Sequence, residues 1–149
     1  MRLGHITLLA AFALLAIAPA AAAADLITLQ DKLGNAVYQE QVADAAIRLS
    51  SRTLRPSSER AVDRRNAVRH LESAEALLSA ALALADPASL PAELSASITK
   101  ALRLNESAKR LIRTRSTPRR AAAARLKVQA AIDQTMKAIE IVRVAREQS

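Results

Sequence analysis

Glycine and proline constrain the fold of this chain more than any other residue types. Only two of the 149 residues are Gly, so almost no position favours a turn that needs a positive φ. Proline, in contrast, interrupts helix interiors. Beyond residue 25 it divides the chain into four stretches of similar length, each rich in the helix formers Ala, Leu and Arg. The layout therefore predicts four consecutive helices, separated near Pro56, Pro87, Pro91 and Pro118.

Each stretch repeats apolar residues at spacings of three and four, as expected for one buried face of a helix. The four predicted faces are Leu26, Leu29, Leu33, Val37, Ala43 and Ile47; Ala61, Val68, Leu71, Leu78, Leu82 and Ala85; Leu94, Ile98, Ala101, Leu104, Ala108 and Leu111; and Leu126, Val128, Ile132, Met136, Ile139 and Val142. Short links between such helices favour an all-α, antiparallel four-helix bundle. Gly34-Asn35 leaves two alternatives open: a small hairpin at this point, and a three-helix bundle with a loosely packed N-terminal segment.

The connections contain residues that commonly start helices. Ser57 or Ser58 is expected to cap the second helix, with Glu59 favouring its positive end. The second helix is expected to end at Asp86-Pro87, and Pro91 is expected at the first helical position of the third. Thr117 is the predicted N-cap of the fourth helix.

The first 24 residues have the layout of a secretory signal peptide. Arg2 is followed by an apolar core at 6–17, by Pro19, which is expected to break the helix, and by a run of alanines. Cleavage after Ala24 would leave residues 25–149 as a single helical-bundle domain with no membrane span, in the periplasm or secreted; an uncleaved anchor is the alternative. Because the chain has no Cys, a lipoprotein and disulfide bonds are excluded.

The charge of the chain suggests an anionic partner. Its net charge is +8, and residues 100–127 hold ten basic side chains against the single acid Glu106. We predict a non-catalytic protein that binds anionic lipid, lipopolysaccharide or an acidic protein. Nucleic acid is disfavoured, since Tyr38 is the only aromatic residue beyond the signal peptide. The candidate anion-binding residues are Lys100, Arg103, Arg110, Arg113, Arg115, Arg119 and Arg120.

A second basic set has acidic residues within reach and is interpreted as ordinary surface. Pairs such as Asp44 with Arg48, and Arg60 with Asp63, would stabilise a helix by only a few tenths of a kcal/mol. In an up-down bundle, however, the turns at Pro56 and Pro118 lie at the same end, so the two basic sets could form one patch. The second set comprises Arg48, Arg52, Arg55, Arg60, Arg64, Arg65 and Arg69.

Other functional classes have weaker support. Apolar residues beside the main faces could form a groove or a homodimer seam in a structural or chaperone-like protein: Leu77, Leu84, Leu104, Ile112 and Ile141. No Gly-x-Ser-x-Gly elbow and no Gly-rich phosphate loop occur, so we expect no enzymatic activity.

A small haem or metal carrier is a remote alternative, and no cofactor is expected. Residues 24–26 and 29–33 resemble the start of exported four-helix b-type cytochromes, which implies haem held between a His and a Met. The likeness covers about a dozen residues, and this chain has no Met in its first helix and no His in its last. Beyond the signal peptide, His70 is the only His and Met136 is the only Met. We expect His70 near the surface and Met136 in the core.

Overall fold

Four helices account for almost all of the chain. The computed structural model describes residues 6–86, 88–114 and 117–148, with side chains described from Asp25 onward. The helices are α1 (Ile6–Ser50), α2 (Ser57–Leu84), α3 (Ala92–Ile112) and α4 (Pro118–Glu147). None of the described residues forms a strand. The predicted all-α fold is confirmed.

The helices pack as a closed ring in chain order. α1 contacts α2, α2 contacts α3, α3 contacts α4, and α4 packs back against α1. Successive helices run in opposite directions, so the links at 51–56 and 113–117 lie at one end and the link at 85–91 at the other. Leu29, Leu33 and Ile47 of α1 are fully buried, which rules out the loosely packed first segment.

α1 is longer and more continuous than predicted. It runs through Pro19, where a helix break was expected, and its backbone is helical from Ile6. The strong helix formers on both sides of Pro19 extend the helix across the hydrogen bond that proline cannot make. Gly34 is also helical and exposed, and a Cβ built there would meet no atom within 4 Å. The hairpin alternative at Gly34 is therefore wrong.

The helix starts match the predictions only in part. Thr117 caps α4 as predicted, because its Oγ1 accepts a hydrogen bond from Arg120 N at 3.2 Å. Neither Ser57 nor Ser58 caps α2; its N-cap is Pro56, and no side chain bonds the free amides there. Because the φ angle of proline is fixed, Pro56 favours a helix start here even though no side chain accepts a hydrogen bond from the first amides. Pro91 is likewise the N-cap of α3, one residue before the predicted position.

The core contains more small residues than the sequence predicts. On α4 the buried row is alanine-rich, whereas Leu126 is 72% exposed and Met136 51% exposed, so the prediction that these two are buried is wrong. Leu126 is two residues from Val128 and therefore lies on roughly the opposite side of the helix from the buried row. The buried row is Ala121, Ala124, Val128, Ala131, Thr135, Ala138 and Val142.

The buried faces of the other helices, and the end of α2, also differ from the predicted ones. On α2 the buried apolar row shifts to Ala67, Leu71, Ala74, Leu78 and Ala81, and the helix ends at Leu84, before the predicted Asp86-Pro87. On α3, Ile112 belongs to the core rather than beside it. The predicted core residues that are only partly buried are Ala61, Val68, Leu82, Leu104, Leu111, Ile132 and Ile139.

A polar layer divides the core into two apolar clusters. Glu40 is completely buried, and its Oε1 accepts a hydrogen bond from Asn105 Nδ2 at 2.7 Å. Thr135 Oγ1 lies 3.4 Å from the same oxygen and 3.0 Å from the Ala131 carbonyl oxygen. Glu40 Oε2 and Asn105 Oδ1 are buried without a hydrogen-bond partner among the described residues. Burial raises the pKa of Glu40 to about 7, and the hydrogen bonds from Asn105 and Thr135 oppose that rise.

Among the residues with described side chains, no helix is sufficiently long and apolar to cross a membrane. Residues 1–5 of the predicted signal peptide lie outside the described residues, and 6–24 lie in the part of α1 whose side chains the structure does not describe, so its cleavage stays a prediction.

Candidate anion-binding site

The charges of this bundle are strongly polarised along its axis. We call residues 44–72 and 106–127 the basic end; they surround the links at 51–56 and 113–117. Among the described residues, this end holds fourteen basic and five acidic side chains. The remainder of residues 25–149 holds six basic and nine acidic residues. The basic end therefore carries the net positive charge of the bundle, because acidic residues outnumber basic ones in the remainder.

Each of the five acidic residues of the basic end forms an ion pair with an arginine at that end. Arg55 bridges Glu59 and Asp63 at 3.2 and 3.1 Å. Arg125 binds Asp44 through two hydrogen bonds, of 2.9 and 3.1 Å, and this contact raises the arginine's pKa further. The other pairs are Arg113 with Glu72 and Arg110 with Glu106.

Nine basic side chains remain at this end without an ion pair among the described residues. Since the carboxylates at this end already have partners, most of the charge of these nine side chains is uncompensated. Such groups attract anions, and the effect falls with salt as the Debye length shortens. They are Arg48, Arg52, Arg60, Arg64, Arg65, Arg69, Arg119, Arg120 and Lys127.

Part of this charge surrounds a shallow groove between α2 and α3, which we call the arginine groove. It has a volume of about 370 Å³. Arg64, Arg65 and Arg69 of α2 and Arg113 after α3 line it, while Ile112 contributes an apolar wall. Glu72, the one acid that lines the groove, is paired with Arg113 at 3.2 Å. The groove can therefore present several guanidinium groups to one phosphate or carboxylate.

The predicted site residues lie in different parts of the bundle. Lys100 and Arg103 are exposed on α3 but lie in the half of the bundle with more acidic residues. Arg110 is exposed and paired with Glu106 at 2.6 Å. Arg113 lines the arginine groove.

The last three predicted site residues are Arg115, Arg119 and Arg120. Arg119 and Arg120 occupy the first turn of α4, which contains no acidic residue. Arg115 lies outside the described residues. The described members of the predicted site, like Arg113, therefore lie at the basic end, apart from Lys100 and Arg103.

Four arginines of α2 belong to the basic end: Arg60, Arg64, Arg65 and Arg69. The sequence predicts that Asp44 pairs with Arg48 and Asp63 with Arg60, but the partners are Arg125 and Arg55. These pairings are wrong because the competing partners come from another helix or from the link before α2. The position of the α2 arginines at the basic end could be predicted from the up-down topology, because that topology puts the links at Pro56 and Pro118 at one end.

The remaining candidate residues do not assemble a cofactor site. His70 Nδ1 lies 2.7 Å from Gln39 Oε1 on α1, while Met136 is half exposed on α4, the helix diagonal to α2. Across the described residues, no three His, Asp or Glu side chains converge where they could hold a metal ion.

A second cleft lies at the opposite end of the bundle, and we call it the end cleft. Its volume is about 860 Å³. Two of the residues predicted to form an apolar groove, Leu84 and Ile141, line it together with Leu26, Leu90 and Val144. Leu77 and Leu104 instead pack, partly buried, against the core.

Comparison of this chain with models of known protein families, with curated proteins and with solved structures gives no match.

Proposed function

We propose that this protein is an exported, non-catalytic helical bundle whose basic end binds an anionic surface. The observation that carries the proposal is the set of nine unpaired basic side chains at an end where every acid is already paired. Export rests on the predicted signal peptide in residues 1–24.

The start of α4 supports a binding role for this charge. Helix N-termini carry a partial positive charge, so cations in the first turn are unfavourable there. α4 nevertheless begins with Arg119 and Arg120 and has no acid in its first turn. A local arrangement that costs stability without an evident structural gain is typical of functional surfaces.

The guanidinium groups of the basic end favour binding of phosphate or carboxylate oxygens. The planar guanidinium group offers five N–H donors in a fork that matches both anions. Each Arg near an anionic membrane surface contributes roughly 1 kcal/mol to binding. Removing four arginines from the groove should then weaken binding by up to about a thousandfold at low salt.

The test compares two variants that lose the same charge at different places. The site variant carries Arg64→Gln, Arg65→Gln, Arg69→Gln and Arg113→Gln. The control variant carries four changes in the other half of the bundle: Lys32→Gln, Lys100→Gln, Arg103→Gln and Lys137→Gln. Each protein is expressed as the full chain in a bacterium, recovered from the periplasm, weighed by mass spectrometry and sedimented with phosphatidylglycerol vesicles over a series of salt concentrations.

We expect the wild-type protein and the control variant to bind with a steep salt dependence. The site variant should bind far more weakly and with a shallower slope. Equal losses in both variants would mean that net charge rather than the basic end is responsible, and this would overturn the assignment of the site. The mass measurement separately tests cleavage after Ala24.

The end cleft favours a second candidate, a structural or chaperone-like protein that acts through apolar contacts. Leu84, Leu90 and Ile141 line an opening large enough for a small apolar ligand or a protruding side chain. Sedimentation of the purified protein at several concentrations and salt levels distinguishes the two candidates. Self-association that does not weaken with salt supports the apolar function, whereas a monomer at all salt concentrations argues against a homodimer.

A further inference from the structure

The most exposed large apolar side chain of the described residues lies at the tip of the basic end. Leu54, in the link between α1 and α2, is 99% exposed. The other exposed large hydrophobic residues lie on helix flanks, where single exposed apolar groups are common in soluble proteins. Leu54 differs because it lies in a turn and contributes almost nothing to the packing of the bundle.

The turn that carries Leu54 is held in place by hydrogen bonds and ion pairs. Arg52 N donates to Leu49 O and Arg55 N donates to Arg52 O, each at 3.2 Å. The Arg55 guanidinium group then ties the turn to Glu59 and Asp63 of α2. The exposed leucine is therefore presented by an ordered turn, so little conformational entropy is lost when it enters a partner.

Unpaired positive charge lies at the same end of the bundle as this leucine. Arg52 is two residues away, exposed and without an ion pair among the described residues. Arg119 and Arg120 begin α4 at the neighbouring link. An apolar side chain at the tip, with guanidinium groups at the same end, matches the layered chemistry of a phospholipid surface, where anionic headgroups cover an apolar interior.

We propose that the anionic surface is a phospholipid bilayer and that Leu54 inserts below its headgroups while the arginines at the same end bind the lipid phosphates. The inference rests on the proposed function and adds to it the identity of the partner and an anchoring residue. Charge complementarity favours this partner because the basic end carries nine unpaired cations. The apolar tip favours a bilayer over a soluble polyanion, which offers nothing to bury it.

The first experiment removes the apolar group and leaves the charges unchanged. Full transfer of a leucine side chain from water should contribute about tenfold to a hundredfold to partitioning. We expect Leu54→Ser to bind phosphatidylglycerol vesicles at least about tenfold more weakly than wild type, with the same salt slope. Leu126→Ser is the matched control, because Leu126 is 72% exposed on the flank of α4, and this variant should bind like wild type.

The second experiment places a reporter at the tip. The chain contains no Trp, so Leu54→Trp gives one indole whose emission reports only on this position. We expect a blue shift of that emission with phosphatidylglycerol vesicles, and no shift with inorganic polyphosphate. Leu126→Trp should show no shift with either.

The outcomes separate this inference from the proposed function. Suppose that wild type binds the vesicles with a steep salt dependence, that Leu54→Ser binds equally well, and that the emission of Leu54→Trp does not shift. Insertion is then refuted and anion binding stands. If wild type binds polyphosphate but not vesicles, the bilayer is refuted as the partner. If wild type binds neither, the proposed function fails and this inference fails with it.

Discussion

Replacing the buried carboxyl of Glu40 by an amide should stabilise the protein at alkaline pH. The pKa of Glu40 is about 7 in the folded protein, against 4.5 for an ordinary glutamate, because burial disfavours the charged form. An acid with a raised pKa in the folded state lowers stability as pH increases from the unfolded to the folded pKa. The stability that Glu40 provides is therefore complete below pH 4.5 and is lost by about pH 7.

The magnitude follows from the two pKa values. A difference of about 2.5 pH units corresponds to roughly 3 kcal/mol of unfolding free energy. Glu40→Gln resembles the protonated side chain, and its oxygen can still accept the hydrogen bond from Asn105. At pH 8 the variant should therefore exceed wild type by about 3 kcal/mol, and by much less at pH 4.

Urea unfolding followed by circular dichroism across this pH range measures the difference directly. Asp31→Asn, at an exposed position of the same helix, is the control and should leave the difference from wild type small. A Glu40→Gln variant that is no more stable than wild type at pH 8 would refute the reasoning. So would a gain that stays constant from pH 4 to pH 8, because it could not come from ionisation.

Two further substitutions test the packing and the helix start. Leu78→Ala removes a fully buried side chain from the core of α2 and should lower the unfolding free energy by about 2 to 5 kcal/mol in urea; a loss below about 1 kcal/mol would contradict the described core. Thr117→Ala removes the only side-chain N-cap found at the described starts of α2, α3 and α4. It should cost about 1 kcal/mol, whereas Thr114→Ala, in the same link but not a cap, should be nearly neutral if the cap assignment is right.

The number of helices and the positions of their links could be predicted from the sequence because proline and helix propensity act locally. Thr117 at the start of α4 is an example, since a Thr before a Pro at the first helical position needs no tertiary information. Pro19 shows the limit of the same reasoning, because flanking helix formers can extend a helix across one missing hydrogen bond.

The buried faces could not be predicted as well, because alanine serves both the surface and the core. Leu126 and Met136 have the larger apolar area, yet the row through Ala124 and Ala131 faces inward and is completely buried. Glu40 was missed for a related reason: it continues the three-four spacing of α1, but a carboxyl group at such a position is normally expected on the surface.

The candidate site combines a predictable part with an unpredictable one. The position of both basic links at one end follows from up-down topology. The identity of the unpaired arginines depends on ion pairs between elements, such as Arg125 with Asp44 and Arg113 with Glu72. These pairs join residues far apart in sequence, so spacing along one helix cannot reveal them.

Binding of the wild-type protein to lipid vesicles tests the central claim most directly. The measurement compares phosphatidylglycerol vesicles with neutral phosphatidylcholine vesicles at increasing salt concentration. We expect strong binding to the anionic vesicles at low salt, a steep fall as salt increases, and little binding to neutral vesicles at any salt concentration. Equal binding to both kinds of vesicle, or no binding to either, would contradict the account.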